Sequence, residues 1–283
     1  MAKTILDFRE MKRKGEKITY LTAYDFPTAS LCEKAGFDLL LVGDSAGMVV
    51  HGYKGTMPVT MDQMTMHARD VRRGAPNTFI IGDLPFLSYQ LSVENAIYNA
   101  GRFYKEAEVE AVKLEGGRRV LPQIKGIVDA GMLVMGHIGL TPQSSGQMGG
   151  FRAQGRTADT ALELINDAVA IEKAGAFALL LEAVPPEVGG IITRMLKIPV
   201  LGIGAGMYTD GQLLIVGDML GYFEAFTAKF VKKYANLSGI IEQAFREYIE
   251  EVRTGKFPEE KHCYRMIEGE ADKLDDLLKA NPP

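Results

Sequence analysis

The chain has 283 residues, an apolar fraction of 47% and a formal charge of −4, enough to close a sizeable core in one large domain or two small ones. With 24% charged residues and a slight acidic excess, it offers no basic field that would collect nucleic acid or an anionic membrane, and no apolar run approaches the roughly 18 residues a membrane span needs. Only Cys32 and Cys263 are present, and the stretch MAKTILDFREMKRKGEK is too charged to hold the core of a secretory signal, so a reduced cytoplasmic protein is expected.

In chain order, short apolar runs recur as ITYLTAYD (18–25), DLLLVGD (38–44), TFIIGD (78–83), AVKLE (111–115), LVMGH (133–137), FALLLE (177–182), IPVLGIG (198–204) and QLLIVGD (212–218). These are about eight strand candidates. Between them the period changes. After Ser92, a plausible N-cap, Val93, Ala96, Ile97, Ala100, Tyr104 and Ala107 fall at helical spacing. Ala161, Leu164, Ile165, Ala168 and Ile171 repeat the pattern, with Gly175 placed to close the helix. Strands too apolar to alternate, separated by amphipathic helices, predict a parallel sheet covered on both faces. Eight such units in roughly 200 residues favour a closed (β/α)₈ TIM barrel, an α/β fold, with additional C-terminal helices. The last link, near Asp210, has room only for a single helical turn. A further helix is expected after residue 220, with Ile241, Ala244, Phe245, Tyr248 and Val252 facing the body. Residues 1–262 read as one barrel domain with its C-terminal helices, and 263–283 as a charged tail, loosely held or lying on a neighbouring subunit.

Most strand candidates end in an ionisable residue: Asp25, Asp44, Asp83, Glu115, His137, Glu182 and Asp218. In a parallel barrel all C-terminal strand ends open on one mouth, so these groups converge. For Asp25 and Asp218 alone, a helix cap or loop hydrogen bond is the better reading. For the group, carboxylates aimed into one low-dielectric cleft repel each other unless a cation sits among them. A set of carboxylates without thiolate pairs or clustered histidines suits Mg²⁺ better than Zn²⁺. Lys113 and Glu115, two apart on one strand, share a face; Lys113 is either a structural ion-pair partner or a substrate-binding cation. His137 is either a hydrogen-bonded strand-end histidine or a substrate contact. GIGAG (202–206) allows close approach of a phosphate or simply close packing, and GGFRAQGR (149–156) reads as a mobile loop able to cover the mouth.

In order and spacing, TAYD, LVGDSAGM, PVTMDQM, HARDVRRGAPN, GDLPF, VKLEGG, GHIGLTPQS, QGR, LLLEAVP and LGIGAGMYTDGQ resemble the ketopantoate hydroxymethyltransferase family, over essentially residues 3–262. The departures noted, such as Ala228 in TAKF where TPKF is usual, are expected to lie away from the mouth. The resemblance implies transfer of a hydroxymethyl group from 5,10-methylenetetrahydrofolate to 3-methyl-2-oxobutanoate, giving 2-dehydropantoate on the route to pantothenate. It implies that Asp44, Asp83 and Glu115 hold Mg²⁺ directly or through water, that Asp44, Ser45, Asp83 and Lys113 contact the oxo acid, and that Glu182 accepts the proton. His137 joins the substrate-binding candidates. Small-molecule substrates and a homo-oligomer, commonly a decamer of two pentameric rings, are the implied partners, with no nucleic acid and no membrane.

The chemistry has its own logic: an α-oxo acid loses a proton next to its carbonyl only when the developing enolate is stabilised, and the base must be a separate carboxylate. Glu182 suits that role because its strand end is otherwise apolar. Two other readings compete. A lyase cleaving a C–C bond in an oxo acid would share the metal site without needing folate. A non-catalytic barrel scaffold would leave the clustered charges, which cost stability, without purpose.

Overall fold

The computed structural model describes residues 3–281. Eight strands, β1 (Ile18–Thr22), β2 (Leu39–Val42), β3 (Phe79–Asp83), β4 (Ala111–Glu115), β5 (Leu133–Gly139), β6 (Ala178–Glu182), β7 (Val200–Ile203) and β8 (Gly211–Leu214), form a closed barrel in sequence order. Each is parallel to the next, and β8 closes on β1 through the register Ile18 with Gly211 to Leu21 with Leu214. The strands read as continuous apolar runs because both faces are covered: every residue of β2 and β3 is buried. Alternate positions separate the two layers of core. Leu39, Leu41, Phe79, Ile81 and Met135 fill the barrel, while Leu40, Ile80, Val112, Val134 and Leu179 pack outward against helices.

The helices are α1 (Ile5–Lys14), α2 (Phe26–Ala35), α3 (Ala46–Val49), α4 (Met61–Gly74), α5 (Val93–Ala107), α6 (Leu121–Asp129), α7 (Ala158–Lys173), α8 (Pro186–Met195), α9 (Val216–Leu220), α10 (Leu237–Thr254) and α11 (Glu270–Ala280). The α5 helix starts as its sequence predicts, the Ser92 hydroxyl accepting the Asn95 N–H at 3.1 Å, and buries Ala96, Ala100, Phe103 and Ala107. The charged N-terminal stretch, for which the sequence suggested no element, forms α1, with Asp7 accepting the Thr4 N–H at 2.7 Å. Its Phe8 enters the inner core edge-on to Phe79, centroids 5.2 Å apart, and so plugs the barrel end opposite the mouth.

Two expectations need correction. The β7–β8 link contains no helical turn at Asp210; instead the Asp210 carboxylate binds Lys12 of α1 at 2.6 Å and the Val200 N–H at 2.8 Å, which holds a short turn without a helix. The chain divides into two compact units, one ending at Ala235 and one beginning at Asn236, and α10, expected to face the body, lies in the second. Its apolar residues are not buried: Phe245 is 64% and Tyr248 58% exposed. Periodicity marks an apolar face without saying what covers it. Among the described residues no helix is long and apolar enough to cross a membrane, and Cys32 (buried) and Cys263 (exposed) are both free.

Candidate active site

Strand register brings the ionisable residues together. Asp83 on β3 sits opposite Lys113 on β4, Glu115 opposite His137 on β5, and Gly139 opposite Glu182 on β6. Their side chains make a continuous chain across four strands. Lys113 Nζ lies 2.8 Å from Asp83 Oδ1 and 3.3 Å from Glu115 Oε1. His137 Nδ1 is 3.4 Å from Glu115 Oε1, and its Nε2 is 3.4 Å from Glu182 Oε2. Asp44, two residues past β2, joins from the side: its backbone N–H donates to Asp83 Oδ2 at 2.9 Å. The neighbouring Ser45 hydroxyl is 2.8 Å from the Tyr24 hydroxyl. All seven predicted site residues line one cavity of about 350 Å³ at the mouth.

The balance of charge is unequal. Asp44, Asp83, Lys113, Glu115 and His137 are buried, so desolvation acts on each of them. Burial raises the Asp44 carboxyl well above the usual carboxylate range, and repulsion from Asp83 and Glu115 adds to it. Asp83 is also raised by burial, with Glu115 adding to it and Lys113 only partly opposing. Glu115 goes the other way: burial is outweighed by Lys113 and His137, which hold it at about 2. Lys113, despite burial, is held well above the usual ammonium value by Asp83, Glu115 and Asp44. Burial and Lys113 both oppose protonation of His137, yet Glu115 and Glu182 raise it above the ordinary imidazole value. Lys113 thus meets Asp83 and Glu115, while Asp44 makes no ion pair among the described residues.

Does this set fit a hard divalent cation? Asp83 Oδ1 meets only Lys113 Nζ, at 2.8 Å, among the described residues. Both Glu115 oxygens are engaged, Oε1 by Lys113 and Oε2 by the Gln143 N–H at 3.1 Å. Among the described residues no group of three or more His, Cys, Asp or Glu forms a ready-made cage. Mg²⁺ commonly needs none, since it is held by one or two carboxylates with water and substrate completing its shell. Asp44 and Asp83, adjoining and all-oxygen, fit that pattern.

Several assignments change with the geometry in view. Asp25 is a cap, accepting the Thr28 N–H at 2.8 Å. Asp218, expected to be equally bland, instead lies in the first turn of α9 and lines the mouth, its carboxyl raised by burial. Ala228, expected away from the mouth, lines it too. Phe151 places the 149–156 loop at the mouth as anticipated. The GIGAG glycines serve packing: at Gly204, φ +69°, a Cβ would stand 2.4 Å from the Phe230 ring. Sequence reasoning missed Gln143, whose amide donates to Asp44 Oδ2 at 2.9 Å and to the Leu84 carbonyl at 3.0 Å. It also missed Tyr89, which donates to Gln143 Oε1 at 2.6 Å and accepts the Glu115 N–H at 3.1 Å. Thr56, on the wall of the mouth, keeps a buried hydroxyl without a partner. Loop residues that act by hydrogen bonding carry no periodic signal; only the position of Gln143 just after a strand end marked it.

A closed parallel barrel with its ionisable residues gathered at the C-terminal mouth defines a (β/α)₈ fold. Solved structures agree on the fold: phosphonopyruvate hydrolase with oxalate and Mg²⁺ superimposes with TM-score 0.61 at 14% identity, over 100% of this chain and 99% of that one. 2,3-Dimethylmalate lyase gives TM-score 0.58 at 18% identity, over 99% and 98%. The particular family comes from sequence: residues 2–260 match the ketopantoate hydroxymethyltransferase family, and the chain belongs to that family of transferases. The 3-methyl-2-oxobutanoate hydroxymethyltransferase of Alkaliphilus metalliredigens (strain QYMF) is 59% identical over 94% of both chains. That of Clostridium beijerinckii (strain ATCC 51743 / NCIMB 8052) is 50% identical over 97% of this chain and 100% of its own.

Proposed function

We propose that this chain forms 2-dehydropantoate by moving a hydroxymethyl group from 5,10-methylenetetrahydrofolate to 3-methyl-2-oxobutanoate, with Mg²⁺ as cofactor, and that it works as a homo-oligomer, a decamer by its family resemblance. Family membership supports the reaction. The observation that supports the mechanism is the cluster itself: Asp44, Asp83 and Glu115 are buried together at the mouth, with the Lys113 ammonium beside Asp83 and Glu115. Mg²⁺ held by Asp44 and Asp83, with Glu115 acting through water, would supply a Lewis acid for the keto oxygen of the substrate. Gln143 and Tyr89 keep Asp44 and Glu115 in place through the bonds already described. Lys113 and Ser45 present a cation and a hydroxyl to the oxo acid. Glu182, the last residue of β6, whose side chain approaches only His137 among the described residues, takes the proton from C3. Water releases the one-carbon unit from the donor at the aldehyde level as tetrahydrofolate departs, and C3 adds to that carbon, whose oxygen takes a proton and becomes the hydroxyl. Phe223, Phe226 and Phe230 keep bulk water from the reacting carbon.

Omitting each component in turn tests the reading. Turnover of 3-methyl-2-oxobutanoate should stop without methylenetetrahydrofolate and on removal of Mg²⁺ by chelation. Calorimetry on Asp44→Asn and Asp83→Asn should show Mg²⁺ and oxo-acid binding weakened together. Undiminished oxo-acid affinity in both variants would exclude the metal bridge, and product formed without any folate would exclude the donor.

A further inference from the structure

Next to the mouth lies a second cavity of about 790 Å³, within the roughly 300–1,000 Å³ usual for small-molecule sites. It shares Phe151, Glu182, Phe226, Ala228 and Phe230 with the first, so one rim of three phenyl rings and the proposed base divides them. Its character is otherwise different. Arg152 and Arg156 from the 149–156 loop and Lys229 from the segment after α9 line it, with Glu182 at the rim as its one acidic residue. Arg118 elsewhere is consumed by Glu163 and Asp167, whereas Arg152, Arg156 and Lys229 form no ion pair among the described residues and are exposed. Three like charges left unpaired around one cavity favour an anionic occupant.

We propose that this cavity receives the glutamate end of the folate donor, with Arg152, Arg156 and Lys229 meeting its carboxylates and the aminobenzoyl ring lying against Phe151, Phe226 and Phe230. The inference rests on the folate reading above and says where the donor lies. The chemistry of the donor matches the order of features: a flat pterin, a phenyl ring, then two carboxylates. A mouth of about 350 Å³ that must also hold the oxo acid leaves little room for all three, so the donor has to extend, and the adjoining cavity is where it can. Arginine forks suit carboxylates, and phenyl rings suit stacked aromatic faces. Gly204 contributes by its lack of a side chain: with φ +69° and no Cβ it lets Phe230 close against the β7 end, which sets the rim between the two spaces.

The test compares two donors on the full-length protein: 5,10-methylenetetrahydrofolate and 5,10-methylenetetrahydropteroate, which lacks the glutamate. In the wild type the pteroate donor should have a KM about tenfold higher or more, the scale of a lost charge-assisted contact. Arg152→Ala/Arg156→Ala should raise the KM for the folate donor about tenfold and change that for the pteroate donor little, so that the preference disappears, and Arg156→Lys should recover part of it. The Kd of the oxo acid with Mg²⁺, read by calorimetry, should hold in the variants. Equal KM values for both donors in the wild type, or equal rises for both donors in the variants, overturn the placement while leaving folate as donor. Wild-type turnover that depends on neither donor overturns the folate reading and this inference with it.

Discussion

Glu182 and His137 face each other across the β5–β6 edge, with Glu182 only 15% and His137 2% exposed at the side chain. In the proposed mechanism proton abstraction and one-carbon attack are separate steps, and only the first would need Glu182 directly. In deuterated water with Mg²⁺ and 3-methyl-2-oxobutanoate, the protein should exchange the C3 proton. Glu182→Gln keeps the shape and removes the basicity, so exchange measured by NMR should fall on the order of 10²-fold while oxo-acid binding persists. His137→Asn should be milder, because the proposed mechanism gives the proton to Glu182, and His137 approaches Glu182 and Glu115. If Glu182→Gln exchanges at the wild-type rate and His137→Asn is inactive, the base belongs to β5. At this scale the sequence was most legible where a residue ends a strand: Asp83, Glu115 and Glu182 do so, and parallel strands force their ends together. Gln143, Tyr89 and Thr56 were not legible, because they lie in loops and their importance exists only in partners distant in sequence.

At the scale of elements, the turn leaving β7 shows how a glycine motif can be misread in isolation. GIGAG allowed either phosphate approach or close packing. Gly204 packs against Phe230, and at Gly206, φ +82°, a Cβ would come within 2.5 Å of Pro186. Gly204→Ala therefore meets both a left-handed backbone and a phenyl ring. We expect it to cost about 1–3 kcal/mol in urea unfolding and to raise the KM for the folate donor by displacing Phe230; stability equal to wild type would show that the turn relaxes at no cost. The same turn passes from β7 to β8 without a helix because Asp210 ties it to Lys12 and to Val200, an arrangement no local periodicity announces. Helix α1 escaped notice for a related reason: only Phe8 of its residues is buried, so its apolar face is too narrow to read as a stripe.

At the scale of the molecule, α10 carries Ile240 at 65%, Phe245 at 64% and Tyr248 at 58% exposure, a continuous apolar face on an 18-residue helix. Apolar area of that kind is usually covered, which agrees with the proposed oligomer. Light scattering should report a large closed assembly, and a monomeric mass across micromolar concentrations would refute it. By itself the sequence determined the class of fold and one end of the barrel as the place of chemistry, since strand periodicity, helix caps and strand-terminal carboxylates are local properties that a parallel barrel turns into a shared mouth. Only the tertiary structure decided how those carboxylates are partnered, because Lys113 reaches Asp83 and Glu115 while Asp44 accepts from Gln143. Distances across strands set desolvation and Coulomb energy, and no spacing along the chain records them.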